Sequence, residues 1–272
     1  MTAALKLAGN EDLAAFKRDG YVKIRGLFTE TQREAVITGI NTLLAVKGAR
    51  GATVHERIND LAKKDRRQLG RVYDAIRKLH AFWALVGSER LAQTAKTLIG
   101  TDTLGVAFRG AGIRLDLPGE DKWRSQWHQE YHSQMSSMRG LVAWFSLVRV
   151  THDMGPVRIA KGSHREGLLP VQCGDPMNKA KDYTQTFTIP NVEGLLEKYP
   201  VMEHETEACE VVFIDFMTLH QSGWNKSDGL SRVTAQVRFF DMTEPTGVGN
   251  DWVGGWQDGG DFTKAHPDKV LP

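Results

Sequence analysis

The sequence predicts a mainly β protein, an antiparallel sandwich or jelly roll with a helical N-terminal layer packed on one sheet. Three observations carry this. The first hundred residues hold apolar patterns of helical period with cap signals at their ends. After Gly100 the texture changes to short runs rich in β-branched and aromatic residues, with Gly, Pro, Asn and Asp between them. At 272 residues, with 41% hydrophobic and 25% charged, the chain can bury one substantial core and nothing demands two. We therefore expect a single domain over 1–272. It comprises helical support over 1–100, a jelly-roll core over 101–242 with a lid insertion at about 166–208, and a C-terminal tail over 243–272.

In chain order, Asn10 followed by Asp12 to Phe16 and closed by Gly20 reads as a short capped helix. Tyr21-Val22-Lys23-Ile24 reads as a strand. Thr29-Glu30-Thr31-Gln32 has capping-box spacing and opens a helix with Val36, Ile37, Ile40, Leu43 and Leu44 on one face. Residues 48–66 are charged and aperiodic, which suggests a surface loop or a frayed helix start. Further helices are expected over 67–81 and over 89–99, the second capped by Ser88 and ended by Gly100. Strands follow at 103–108, 111–117, 126–132, 140–150, 156–160, 210–216 and 231–240. The stretch 166–208 is long for a loop, and a loop of that length in a compact domain is usually functional, here as a lid. The tail, with Trp252, Trp256 and many Gly and Asp, reads as an extended segment across the barrel.

Bulk properties exclude several classes of function. The net charge is +2, from 35 basic and 33 acidic residues dispersed along the chain. No basic stripe argues for nucleic acid. No apolar run approaches the ~18 residues of a membrane span, and the start lacks the pattern of a secretory leader. Cys173 and Cys209 stand far apart without metal-site spacing. A soluble, cytoplasmic monomer or homodimer acting on a small molecule is the expectation.

The chemistry concentrates in Trp127-His128-Gln129-Glu130-Tyr131-His132, with Leu219-His220 and Ser231-Arg232 downstream. On a strand, residues two apart share a face, so His128 and Glu130 would grip one ion together. Two neutral imidazoles and one carboxylate on one side of an octahedral metal leave positions open for a co-substrate and O2, the ligand set of a non-haem Fe(II) oxygenase. His132 would share that face and line the pocket without binding metal. A rival pattern is a zinc-dependent hydrolase using His128 and His132, four apart on a helix, although Gln129 stands where a peptidase needs Glu. A non-catalytic jelly-roll binding protein is a further alternative. In 231–240, Arg232, Thr234, Gln236 and Arg238 alternate with Val233, Ala235, Val237 and Phe239, as in a half-buried strand. Arginine's fixed fork suits a dicarboxylate co-substrate, and the Thr234 hydroxyl could add to the same carboxylate.

Taken together these motifs resemble the phytanoyl-CoA hydroxylase-like (PhyH) family of Fe(II)/2-oxoglutarate dioxygenases. The resemblance begins at Phe16-Lys17-Arg18-Asp19-Gly20-Tyr21-Val22 and Gly26-Leu27-Phe28. It continues through Trp127-His128-Gln129-Glu130, Ala143-Trp144-Phe145-Ser146-Leu147, Met154-Gly155-Pro156-Val157-Arg158-Ile159 and Gly162-Ser163-His164. It closes with Leu219-His220-Gln221-Ser222-Gly223, Asn225 and Arg232. It implies a double-stranded β-helix (jelly roll, cupin-like) core, with His128, Glu130 and His220 as iron ligands and Arg232 as partner of the 2-oxoglutarate C5 carboxylate. The implied activity is hydroxylation, or another oxidation, of an unactivated C–H bond of a small polar molecule, with O2 as co-substrate and release of succinate and CO2. Desaturation, epimerisation and ring formation stay open. Two positions depart from the family's pattern. Glu130 stands where most members have Asp, and the interval from His220 to Arg232 is one residue longer, which leaves Arg238 as the alternative carboxylate partner. Arg114, Arg109 and His132 are candidates for substrate contact, with Gln126 and Arg139 near them. His164 reads as a turn residue, Gly155-Pro156 as a turn, and Trp224 and Trp256 as packing residues that could wall the mouth.

Overall fold

The computed structural model describes residues 7–173, 187–255 and 260–272. The N-terminal layer is built from local signals. Helix α1 (Asn10–Asp19) ends at Gly20 and is followed by strand β1 (Tyr21–Ile24). Helix α2 (Glu30–Val46) opens on a reciprocal box in which Gln32 N–H donates to Thr29 Oγ1 at 3.1 Å and Thr29 N–H donates to Gln32 Oε1 at 2.9 Å. It buries Val36, Ile37, Ile40 and Leu44. The stretch 48–66, expected as a surface loop or a frayed helix start, is largely the regular helix α3 (Val54–Lys64), opened by a second box between Thr53 and Glu56. Its apolar stripe is only Val54, Ile58 and Leu61, too narrow to stand out from the charges around it. The expected single helix over 67–81 breaks into α4 (Arg66–Ile76) and α5 (His80–Val86), and the Arg77 carbonyl at the break accepts from Trp83 Nε1 at 2.8 Å. Helix α6 (Glu89–Ile99) ends at Gly100.

Beyond α6 come β2 (Leu104–Val106), β3 (Gly112–Asp116), the short helix α7 (Tyr131–Gln134), β4 (Gly140–Ser146) and β5 (Arg158–Ala160). Then follow β6 (Val171–Cys173), β7 (Phe187–Thr188), α8 (Val192–Lys198), β8 (Val201–Glu203), β9 (Val211–Asp215), β10 (His220–Gln221) and β11 (Arg232–Asp241). The chain closes with α9 (Pro245–Gly249), α10 (Phe262–Ala265) and β12 (Val270–Leu271). The main sheet runs β1-β9-β4-β11-β2, with β3 also on β11. The described smaller sheets are β10-β5-β8 and β12-β6-β7. This is a mainly β jelly roll under a helical layer.

Register sets which side chains meet. Residues directly opposite in an antiparallel pair point to one face. On β11, Arg232 faces Asp116, Thr234 faces Arg114 and Ser146, Gln236 faces Trp144, and Arg238 faces Val142. That face looks into the roll. The other carries Val233, Ala235, Val237 and Phe239, all buried, and adjoins α6. Three expectations are corrected here. Residues 126–132 are not a strand; they contain one isolated bridge, His128 to His220, and then turn into α7. The described parts of 166–208 are not loop throughout, since β8 extends the β5 edge and β6 pairs with β7 and β12. The described parts of the tail are not extended throughout but include short helices before β12, with Phe262 of α10 buried beside Tyr131 and His132.

Candidate metal centre and its two chambers

His128 and His220 exchange backbone hydrogen bonds, each N–H to the other's carbonyl at 3.0 Å. As opposed residues they project to one side, with ring centroids 4.3 Å apart. Each Nδ1 faces the carbonyl two residues back, Gln126 at 2.6 Å and Thr218 at 2.9 Å. A carbonyl can only accept, so each ring carries its proton on Nδ1 and turns the Nε2 lone pair inward, as a metal ligand requires.

Glu130 arrives by a turn rather than along a strand. Its backbone is right-handed helical (φ −67°, ψ −33°), and its N–H donates to the Phe216 carbonyl at 2.9 Å. The side chain swings back so that Oε2 lies 3.9 Å from His128 Nε2 and 3.5 Å from His220 Nε2. His128, Glu130 and His220 form a cluster of ligand atoms all within 4.8 Å of one another, the only such group of three among the described residues. Glu130 Oε2 is buried without a hydrogen-bond partner among the described residues, whereas Oε1 is held by Arg238 Nε at 2.9 Å. An unpaired carboxylate oxygen in a dry site is costly. Facing two imidazole lone pairs, it is the donor set a divalent cation would satisfy.

Charge states agree with this. Burial, and then the neighbouring His220, push His128 down to about 4, so it is neutral at pH 7. Burial alone would raise Glu130, but the Arg238 guanidinium and the two imidazoles outweigh it and hold the carboxyl well below the usual range. Gln129, unassigned by the sequence, fixes the turn from behind. Its amide donates to the Gly167 and Met217 carbonyls, both at 2.7 Å, and accepts from Leu169 N–H at 2.8 Å.

The cluster stands between two chambers. The inner, of about 60 Å³, is walled by Val142, Trp144, Val157 and Ile214 and reaches Ser222 and Arg232. The outer, of about 1650 Å³, opens outward past α4. Arg114, Ser125, His128, Glu130, Gln236 and Arg238 line both.

Arg232 is 4% exposed and donates to Asp116 Oδ2 through Nε at 3.2 Å and Nη2 at 2.9 Å. Its Nη1 donates to the Gly223 and Met154 carbonyls at 3.2 and 3.4 Å. Asp116 also accepts from Arg114 Nη2 at 2.6 Å. Burial would raise the Asp116 carboxyl, yet the two guanidiniums hold it well below the usual carboxylate range. Thr234 is buried on the same sheet face as Arg232 without lining either chamber. Arg238, the alternative partner for a co-substrate carboxylate, is committed to Glu130 and, through Nη1, to the Gly110 carbonyl.

The remaining candidates separate. Arg109, Arg114 and His132 line the outer chamber. His132 lies on α7, its Nε2 3.0 Å from the Leu169 carbonyl and its ring edge-on to Phe262 at 4.9 Å. Burial lowers it to about 4. It is outside the ligand cluster and His128 is not on a helix, so the hydrolase pair does not form. His164 holds a turn through Nε2, 3.0 Å from the Lys17 carbonyl. Trp224 is 41% exposed beneath Lys226, and Trp256 lies outside the described residues. Asp116 was not singled out from sequence, although Arg114-x-Asp116 on a strand places both on Arg232's face.

The chain is similar in sequence and fold to several known proteins. The chain is 23% identical over 225 residues to the ectoine dioxygenase of Bordetella bronchiseptica, covering 80% of this chain and 70% of that one. The Sphingopyxis alaskensis ectoine dioxygenase is 24% identical over 220 residues, covering 78% and 69%. Among solved structures, the epimerase SnoN in complex with Fe3+, alpha-ketoglutarate and nogalamycin RO superposes with a TM-score of 0.60 at 20% identity, covering 92% of this chain and 91% of that one. EctD from S. alaskensis with 2-oxoglutarate and 5-hydroxyectoine gives 0.54 at 19% identity, covering 87% and 77%. The phytanoyl-CoA dioxygenase (PhyH) family profile matches residues 16–234. On that match over most of its length, the chain belongs to the phytanoyl-CoA dioxygenase family.

Proposed function

We propose that the chain is an Fe(II)- and 2-oxoglutarate-dependent dioxygenase in which His128, Glu130 and His220 hold the metal, 2-oxoglutarate extends from the metal into the inner chamber and the outer chamber takes a small polar substrate. The observation that carries this is the buried, unpartnered Oε2 of Glu130 facing two imidazole Nε2 atoms at 3.9 and 3.5 Å. When bound, Fe(II) with 2-oxoglutarate and O2 supplies the oxidation of an unactivated C–H bond, with succinate and CO2 as co-products. The ectoine dioxygenases and the EctD and SnoN complexes support the same cofactor set and a small-molecule substrate.

The protein's own part is positioning. Arg238 fixes one oxygen of Glu130 so that the other points at the metal position. Arg232 is the partner we assign to the far carboxylate of 2-oxoglutarate, since it lines the inner chamber without touching the ligand Glu130, whereas Arg238 is bonded to Glu130 itself. Asp116 and two carbonyls hold its guanidinium plane. Thr234, on the same face, is a second candidate for that carboxylate. Val142, Trp144, Val157 and Ile214 give the inner chamber one apolar wall, opposite the charged and polar groups that line the rest of it. We read the chain as one domain whose 166–208 insertion borders the substrate cavity, because Phe187 and Ile189 line it. Its two cysteines are free, which supports a reducing, cytoplasmic setting for a monomer or homodimer.

Anaerobic titration of the apoprotein with Fe(II) and then 2-oxoglutarate tests the reading. A weak visible charge-transfer band is expected, lost on His220→Ala and weakened on Arg232→Ala. No band, with zinc held tightly even after His220→Ala, would overturn it.

A further inference from the structure

We propose that the substrate carries an oxyanion, a carboxylate or a phosphate ester, which Arg67 and Arg71 of α4 bind at the outer mouth of the large chamber, away from the metal. This rests on the dioxygenase reading and adds a substrate class to it.

The charge distribution in the chamber points this way. Its described lining holds eight Lys or Arg residues against five Asp or Glu. Four of the five acidic groups are spoken for; the fifth, Asp74, is exposed on α4 three residues after Arg71 and makes no ion pair with it. Asp65 caps α4 by accepting from the N–H groups of Arg67 and Gln68 at 2.9 and 3.1 Å. Asp116 sits between Arg114 and Arg232. Glu120 takes both ends of the Arg66 fork at 2.9 and 2.8 Å. Glu130 belongs to Arg238 and the metal position.

Arg66, Arg114 and Arg238 are matched by those same acids, whereas Arg77, Arg67 and Arg71 are not. Arg77 donates to the carbonyls of Arg109 and Ala111, which orient its guanidinium without neutralising it. Arg67 and Arg71 are four apart on α4, so their side chains leave one face of the helix one turn apart. Both are exposed and line the chamber, and neither guanidinium has a hydrogen bond or ion pair with any described residue. An exposed arginine is ordinarily just solvated. A pair of them on the rim of a concave site with surplus positive charge is different, because low-dielectric walls focus the field into the cleft. Two guanidinium forks at that spacing suit the planar carboxylate or the several oxygens of a phosphate ester. The chamber's volume of about 1650 Å³ exceeds the roughly 300–1,000 Å³ of ordinary small-molecule pockets. A ligand anchored at α4 therefore has room for a body that reaches the metal.

The test uses the anaerobic Fe(II)–2-oxoglutarate form of the protein and three probes sharing one body: octanoate, octyl phosphate and octanol. Saturable binding is read from the charge-transfer band and from the thermal midpoint. At least one anionic probe is expected to bind more tightly than octanol, with an affinity that falls as salt is added. Preference for octyl phosphate assigns a phosphate ester, and preference for octanoate assigns a carboxylate. The Arg67→Ala/Arg71→Ala double variant is expected to lose about tenfold or more in anion affinity, with its 2-oxoglutarate band and uncoupled succinate release unchanged. Octanol binding as well as the anions, anion binding untouched in the double variant, or no saturable binding by either anion would overturn the proposal. An intact band in those cases leaves the dioxygenase reading standing. A missing band in the unmodified protein removes that reading instead.

Discussion

Glu130 is held from one side and left open on the other, and that asymmetry defines the centre. Its Oε1 is committed to Arg238 Nε at 2.9 Å, while Oε2 faces the imidazoles. Without Arg238 the carboxylate could rotate and its charge would lose its main compensation. Arg238→Ala is therefore expected to lower metal affinity by about 10–100-fold, the usual cost of removing such a supporting contact. Arg238→Lys is expected to recover part of this by restoring charge without the fork. Anaerobic Fe(II) or Co(II) titration measures both, and unchanged affinity would rule out the positioning role. Asp116 makes a second prediction, this one about pH. Its folded-state carboxyl lies below the ordinary value, so its stabilising contribution is fully present above an unfolded pKa of about 3.9 and is lost as pH falls through that value towards the folded one. Asp116→Asn leaves Arg114 and Arg232 short of a counter-charge and is expected to cost roughly 3–5 kcal/mol near neutral pH. The gap between the thermal midpoints of the two proteins is expected to narrow below about pH 4; a gap independent of pH would mean the ion triad contributes nothing to it.

At the scale of elements, two loops meet where Arg232 ends. Gly155 has φ of +66°, and a Cβ there would lie 2.4 Å from the Trp224 carbonyl oxygen. A Cβ on Gly223 would lie 2.3 Å from the Pro156 carbonyl oxygen. The same loops present the Met154 and Gly223 carbonyls to Arg232 Nη1. Gly155→Ala is expected to cost about 1–3 kcal/mol from its left-handed conformation, with the clash added. It is also expected to weaken 2-oxoglutarate binding, followed by the charge-transfer band, while metal affinity holds. Equal losses of both would instead mean general unfolding. These elements also show how far the sequence could be read. Helices α1, α2 and α6 and the alternation of β11 were legible because each rests on local signals, although at α6 only the Gly100 end behaves as expected, since the Ser88 hydroxyl makes no capping hydrogen bond. The identities in the ligand cluster were legible too, but its geometry was not. Residues 126–132 carry strand-like composition, yet a single bridge to His220 and the Phe216 carbonyl turn them into α7. Helix α3 hid behind a three-residue stripe. The partners of Arg232 and Arg238 depend on β11 register against β3 and on the return of a distant turn, and no one strand's pattern contains either.

For the whole molecule, the helical layer does more than cover the sheet. Phe145, Val211, Phe213 and Val237 are fully buried on the outer face of the main sheet, and the ring of Phe28 lies 5.1 Å from that of Phe145. Helix α3 also reaches across to the turn that launches β11. Asn59 Nδ2 donates to the Gly229 carbonyl at 2.6 Å, Ser231 Oγ donates to Asn59 Oδ1 at 2.8 Å, and His55 Nδ1 lies 2.8 Å from the Ser231 carbonyl. The residue after Ser231 is Arg232, so helices far from the metal set where the co-substrate arginine begins. The ligand histidines bridge each other inside the roll, and His220 is steadied from α1 rather than α3, since Thr218, whose carbonyl faces His220 Nδ1, donates its hydroxyl to the Gly20 carbonyl at 2.8 Å. Asn59→Ala is therefore expected to separate two affinities that a mutation at the metal would change together. Losing these two hydrogen bonds is worth about 1–2 kcal/mol, or roughly a 5–30-fold effect if all of it falls on Arg232 placement. We expect 2-oxoglutarate to bind more weakly within that range and Fe(II) affinity to stay unchanged, both read from one anaerobic titration. If 2-oxoglutarate affinity also stays put, the α3 contact stabilises the fold without positioning Arg232, and the helical layer is cover alone.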